Sequence, residues 1–185
     1  MSKRITEDEL EKILINHSHW LKEDCDGWEE MRANLSWTDL SRADLSGVNL
    51  LRADLSWANL SGADLSWAKN VPFIPYTCPD FGMFIGFKKA YTNSNAVIVV
   101  LEIPEDAKRL SATGRKCRCD KAKVIEIQSI GGEKLDISQC HSDYDNRFTY
   151  KVGEVVSVDN FCEDRWQECA PGIHFFINRQ EAIDY

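Results

Sequence analysis

The residues with most capacity for chemistry sit in one run, Ala107–Lys123, "AKRLSATGRKCRCDKAK". Lys108, Arg109, Arg115, Lys116, Arg118, Lys121 and Lys123 stand there against a single acid, Asp120. The chain of 185 residues carries a net charge of −8, so this run is a local positive field in an acidic molecule. "SATGRK" has the composition of a loop whose backbone amides and guanidinium groups hold a phosphate. It lacks the GxxxxGK(S/T) spacing of a nucleotide P-loop. Arg115, Lys116, Arg118 and Lys121 are candidate ligands for a small phosphorylated molecule, such as a nucleotide or cyclic nucleotide signal. A solvated turn between two strands and a contact for an acidic protein are the competing readings.

His174 follows the turn-forming Pro171–Gly172 in "CAPGIHFF", on an expected strand with Cys169 near. An imidazole there can serve as a base, a ligand or a structural donor to a backbone carbonyl. No Ser or Cys sits in a nucleophile motif that would need it, so an enzyme of unknown class using His174 is a weaker alternative. The seven cysteines include no CxxC pair, and reduced, mostly buried thiols are expected. A zinc site from Cys117, Cys119 and Cys140–His141 fits no usual spacing, so no metal is expected. The acidic, aromatic stretches Asp143–Tyr150 and Asp159–Trp166 read as polar turns; the first lacks the glycine and distal glutamate of an EF-hand. No cofactor is implied.

Three segments must position these residues. Ile5 to about Trp28 reads as a helix: Thr6 and Glu9 form a capping-box pattern, Leu10, Ile13, Leu14, Ile15, Trp20 and Leu21 supply an apolar stripe, and Gly27 ends it. Leucines then stand at 35, 40, 45, 50, 55, 60 and 65, each preceded by Asn or Asp and, one residue earlier, by Ala, Thr or Val. Five is neither the strand period nor the helix period. A chain that turns a corner every five residues sends one large and one small side chain inward per side. Four sides then close a square coil, and coils stack at strand spacing. Small residues suit the crowded inner position, and Asn, Asp and Ser suit the corners.

"ADLSGVNLLRADLSWANLSGADLS" resembles the pentapeptide-repeat family, whose A(D/N)LxX units form a right-handed quadrilateral β-helix. The resemblance implies just under two coils, with open ends that the preceding helix and the following domain must cover. Residues twenty apart would stack, Trp37 on Trp57 and Gly47 on Trp67. Trp37, Trp57 and Trp67 thus form a face that either receives the first helix or the C-terminal domain, or is a candidate contact face for self-association or for a protein partner.

From Val71 the composition changes. Pro72, Pro75 and Pro79 break the repeat, and strands are expected at "GMFIGFKKAY", "AVIVVLEI", "KVIEIQSI", "KLDIS", "RFTYKVGEVVSV" and "GIHFFI". "PEDAKRL" is expected to make one helical turn, and "NRQEAIDY" a closing helix capped by Asn178. "IGFKKAY", "FTYKVGEVV", "ECAPGIHFF" and "EAIDY" resemble an uncharacterised domain that often follows pentapeptide repeats in phage and prophage proteins.

The expected architecture is a β-rich α+β protein. A helical cap (1–31) and a two-coil repeat (32–70) precede a small α+β domain with a mostly antiparallel sheet (71–185). The expected function is non-catalytic binding, phage- or prophage-encoded and directed at a host factor. The phosphorylated-ligand alternative would sequester a host signal, a form of counter-defence. The start "MSKRITEDEL" has no secretory h-region, and "AVIVVL" is far too short to span a bilayer. A cytoplasmic location without membrane contact follows. An acidic chain with a nearly neutral repeat argues against duplex nucleic acid.

Overall fold

The computed structural model describes residues 3–93 and 95–185. The chain divides into two compact units, Met1–Pro75 and Tyr76–Tyr185. In the described residues no helix is long and apolar enough to cross a membrane.

The first unit opens with the short strand β1 (Lys3–Arg4) and helix α1 (Glu7–Lys22). The capping box forms as expected: the Thr6 hydroxyl accepts from the Glu9 amide at 3.2 Å, and the Glu9 carboxylate accepts from the Thr6 amide at 2.8 Å. The helix is shorter than its apolar stripe suggested. Glu23, in a left-handed conformation (φ 54°), ends it, and Gly27 instead opens a single 3-10 turn at Trp28–Glu30. Inside the unit, His17 is buried and its Nδ1 accepts from the Ala33 amide at 3.2 Å, which ties α1 to the first repeat.

In the repeat, parallel bridges join residues twenty apart: Asn34 with Asp54, Asp39 with Asn59, Asp44 with Asp64 and Asn49 with Lys69. β2 (Thr38–Asp39) also pairs in parallel with β1. Leu35, Leu40, Leu45, Leu50 and Leu65 are buried together with Ala33 and Ala63, while Leu55 and Leu60 are half-buried. Every Asn or Asp holds its own corner, accepting from the amide two residues on at 2.8–3.1 Å. The residue after each corner serine, or after Leu51, has positive φ: Trp37, Arg42, Gly47, Arg52, Trp57, Gly62 and Trp67. An amide one residue further closes the turn, as Ala43 does to Leu40 at 3.0 Å, the pattern of a type II turn.

The second unit is β-rich and antiparallel. Its strands are β3 (Phe84–Thr92), β4 (Asn95–Ile103), β5 (Arg109–Ser111), β6 (Cys117–Cys119), β7 (Lys121–Gln128), β8 (Gln139–His141), β9 (Thr149–Lys151), β10 (Val155–Ser157) and β11 (Ile173–Phe175). Six form one sheet in the order β10-β7-β4-β3-β8-β9, and three form another, β11-β6-β5. Helix α2 (Arg179–Asp184) closes the chain, its Asn178 cap accepting from the Gln180 amide at 2.8 Å. The core holds Val97, Val99, Leu101 and Ile103 of β4 with Cys117, Cys119, Tyr150, Ile173 and Phe175. Gly86 lets the sheets meet, since a Cβ there would lie 2.6 Å from the Phe175 ring.

Three local expectations differ. "KLDIS" makes only an isolated bridge, Lys134 to Gln128. "PEDAKRL" is a turn leading into β5, not a helical turn. "CRC", expected within a loop, is strand β6, with Cys117, Arg118 and Cys119 all buried.

Candidate functional site

The cations of the basic run do not converge. Arg115 pairs with Glu181 of α2 at 2.7 Å, and Lys121 pairs with Asp106 at 2.6 Å. Lys108 pairs with Glu163. Arg109 donates to the carbonyls of Gly82, Pro104 and Glu105. Arg118 departs furthest from a solvent-facing ligand. It is 2% exposed, and its guanidinium donates to the carbonyls of Gln167 at 2.7 Å, Cys162 at 2.9 Å and Asp164 at 3.0 Å. Burial lowers its pKa; the three carbonyls answer its two terminal nitrogens, while the buried Nε has no partner among the described residues. Arg165 fastens the same irregular segment, donating to Ser111 at 2.8 Å and Ala112 at 3.1 Å with its guanidinium against the rings of Tyr76 and Trp166. Segment 161–171 is thus pinned by arginines, and it carries Glu168 and Cys169.

Lys116 is different. Among the described residues its ammonium meets only weak partners, Cys169 Sγ at 3.7 Å and the Tyr185 hydroxyl at 3.4 Å, and lies over the Tyr185 ring at 5.4 Å. His174 lies nearby on β11, which pairs with β6. Its Nε2 is 3.0 Å from the Glu168 carbonyl, so the proton sits on Nε2 and the ring is neutral. Burial, then the positive charges of Lys116 and Lys88, hold its pKa down to about 4.

Lys88 is the residue that sequence reasoning missed. On β3 it pairs with Val99 and alternates in phase with Gly86 and Ala90, both buried, so it belongs to the core-facing side of the sheet. It is half-buried and, among the described residues, makes no hydrogen bond and no ion pair; its closest ring is Tyr150, 6.0 Å from Nζ. Burial lowers its pKa to about 8, Asp143 opposes that shift, and Lys116 adds to it. The outer edge of β3 is forked here. At Phe87 it bonds to Phe176 in both directions at 2.8 Å, while at Tyr91 it pairs with His141 of β8. Lys88 stands between the two partners. The available signal was the phase of "GFKKA", in which the first lysine shares its face with Gly86 and Ala90.

The thiols behave as core residues. Cys119 is pushed up by burial, Cys140 to about 12 by the same cause, and Cys117 up by its hydrogen bond to Cys78 and by burial. Cys78, Cys117, Cys119 and Cys140 are all buried. Cys117, Cys119 and Cys140–His141 do not assemble as ligands; in the described residues the group with ligand atoms within 4.8 Å is His19, Asp24 and Cys25 at the end of α1. A groove of about 1130 Å³ between α1 and the repeat is lined by side chains of both charges, including Asp8, Glu11 and Arg42.

On the repeat, Trp37 and Trp57 stack with ring centroids 5.4 Å apart and planes 20° apart. They are 56% and 76% exposed, and Trp67 is 71% exposed.

Comparison with known protein families matches residues 74–182, well over half of the chain, to a family of unknown function, DUF5758. The chain belongs to the DUF5758 family. Residues 31–66 match pentapeptide repeats, counted there in eight copies where the leucine period gives seven. No curated protein and no solved structure matches. Lys88, Lys116, Cys169 and His174 all fall within the DUF5758 match.

Proposed function

We propose that this protein is a non-catalytic interaction protein whose repeat presents stacked tryptophans to a protein partner. The repeat is read as two turns of a right-handed quadrilateral β-helix. That reading draws on the twenty-residue bridges and on buried leucines every fifth position. The observation that carries the function is the Trp37–Trp57 stack, two large apolar rings held in solvent by corner residues with positive φ. Neither ring adds to the core, and non-glycine residues at such φ cost free energy. Aromatic anchors of this kind dominate protein interfaces. The sequence resemblance to phage and prophage proteins makes a cytosolic factor of the bacterial host the expected partner.

The test is paired. Light scattering on wild-type protein and on Trp37→Ser/Trp57→Ser measures self-association, and crosslinking in host lysate compares specific adducts of the two. A wild-type dimer abolished by the double change identifies the partner as a second copy. An adduct with a host protein, lost in the double change, identifies a heterologous one. If the variant keeps every oligomer and adduct of the wild type, the interaction reading fails.

A further inference from the structure

We propose that His19, Asp24 and Cys25, gathered at the end of α1, form a binding site for a zinc ion. The site lies in the first unit, apart from the cysteines of the second, and outside both family matches, which begin at residues 31 and 74.

The backbone brings the three side chains together. Glu23 takes a left-handed conformation (φ 54°) and its amide donates to the His19 carbonyl at 2.8 Å, so the chain leaves the helix turned back past His19. The next two residues are Asp24 and Cys25. His19 Nδ1 stands 2.6 Å from Asp24 Oδ1, and one ligand atom from each of the three residues lies within 4.8 Å of the others. Donors around a tetrahedral zinc ion, each ~2.0–2.3 Å from the metal, stand about 3.3–3.8 Å apart, so shifts of about 1 Å seat the ion.

The donor set selects the metal. Magnesium and calcium take oxygen ligands, whereas imidazole nitrogen, thiolate sulfur and a carboxylate oxygen are all ordinary ligands of zinc. His19 and Cys25 are half-buried and Asp24 is exposed, which leaves a fourth position for water. Met31 Sδ is 3.8 Å from Cys25 Sγ, but a neutral thioether suits copper(I) rather than zinc. Residues 23–30 carry five carboxylates, Glu23, Asp24, Asp26, Glu29 and Glu30, and no cation, so the local field draws a cation in. A bound ion ties the last turn of α1 to the loop that leads into the first repeat.

The experiment strips full-length, reduced protein with chelator and titrates it with Co²⁺, then with Zn²⁺. Cobalt should bind as a single equivalent with thiolate-to-metal charge-transfer absorption and the intense visible bands of a tetrahedral site, and zinc should displace it. Zinc should raise the melting temperature by several degrees at saturation, and Mg²⁺ should not. Cys25→Ser should abolish the charge-transfer band. His19→Ala should weaken zinc binding by more than the roughly 10–100-fold that a group hydrogen-bonded to a ligand is worth. Both positions are partly exposed, so both variants should melt with wild type in chelator. Cys169→Ser, which removes an exposed thiol of the second unit, should leave the absorption unchanged. If Cys25→Ser keeps the band, its source is another thiol and the proposal fails. A greater loss of affinity in Met31→Leu than in His19→Ala would assign the cluster to a softer ion and overturn zinc. Wild-type protein with no cobalt band overturns the site altogether, leaving His19 and Asp24 as a surface ion pair.

Discussion

Arg118 shows how much one side chain decides here. Read from its neighbours it belongs to an exposed basic loop; in the fold it is the pin on which segment 161–171 hangs. Arg118→Met keeps the bulk but strands three carbonyls. It should destabilise by about 3 kcal/mol or more. Urea unfolding measures this, and a loss under about 1 kcal/mol would show that water replaces the guanidinium. His174 makes a second prediction. Its pKa is about 4 in the fold, below the ordinary 6.5 that holds in the unfolded chain. The unfolded chain therefore binds more protons between those values. The stability that neutral His174 permits is complete above pH 6.5 and is lost as pH falls toward 4. His17, also lowered by burial, has the same sign. Relative to wild type, His174→Asn should flatten stability against pH in this window, leaving the His17 part. Parallel curves for the two proteins would refute that. The role of Arg118 was not legible in sequence, since its burial is set by a segment distant along the chain, whereas a backbone-carbonyl partner for His174 was among the expected readings and only its burial was not.

The pentapeptide corner is the element where sequence and structure agree most closely and then part. Leucine spacing, the small residue two before it and the Asx at each corner all follow from the period of five; the Asx turns form throughout, while Leu55 and Leu60, with Ala53 and Ala58, are only half-buried. The left-handed residue was hidden because Trp, Arg and Gly share it, and they share no chemistry. Its conformation makes a sharp prediction. Arg52 (φ 61°) is exposed, so Arg52→Gly should be neutral or stabilise by about 0.5–1 kcal/mol, whereas Arg52→Val should destabilise. Leu45→Ala, at a fully buried position, should cost about 2–5 kcal/mol. Thermal melts of the three variants check the order, and a stabilising Arg52→Val would contradict the corner geometry. In the second unit β6 escaped notice for a related reason. Cys117, Arg118 and Cys119 are covered on both faces, which erases the alternation that marks a half-exposed strand. "KLDIS" errs the other way: its alternation is real, but Leu135 donates to Ile127 at 2.9 Å and only Lys134 bridges, so the pattern outruns the pairing.

At the scale of the molecule, the hydrophobic clusters seen among the described residues of the second unit draw on residues from Cys78 to Ile183, all within Tyr76–Tyr185. A fragment of residues 76–185 should therefore fold cooperatively alone, with dispersed amide resonances and a single thermal transition. A fragment that is molten would show that its core depends on the first unit. The tryptophans divide unequally between the units. Trp20, Trp28, Trp37, Trp57 and Trp67 lie in the first, and only Trp166 lies in the second. Intrinsic emission is thus almost entirely a report on one half of the chain. The Trp37–Trp57 pair, at 5.4 Å, is close enough for its excited states to mix, giving a split far-ultraviolet dichroism band that vanishes when the two rings part. Tryptophan dichroism can then follow the stack through unfolding or through capture by a partner, separately from the second unit, whose main chromophores are Trp166 and the five tyrosines.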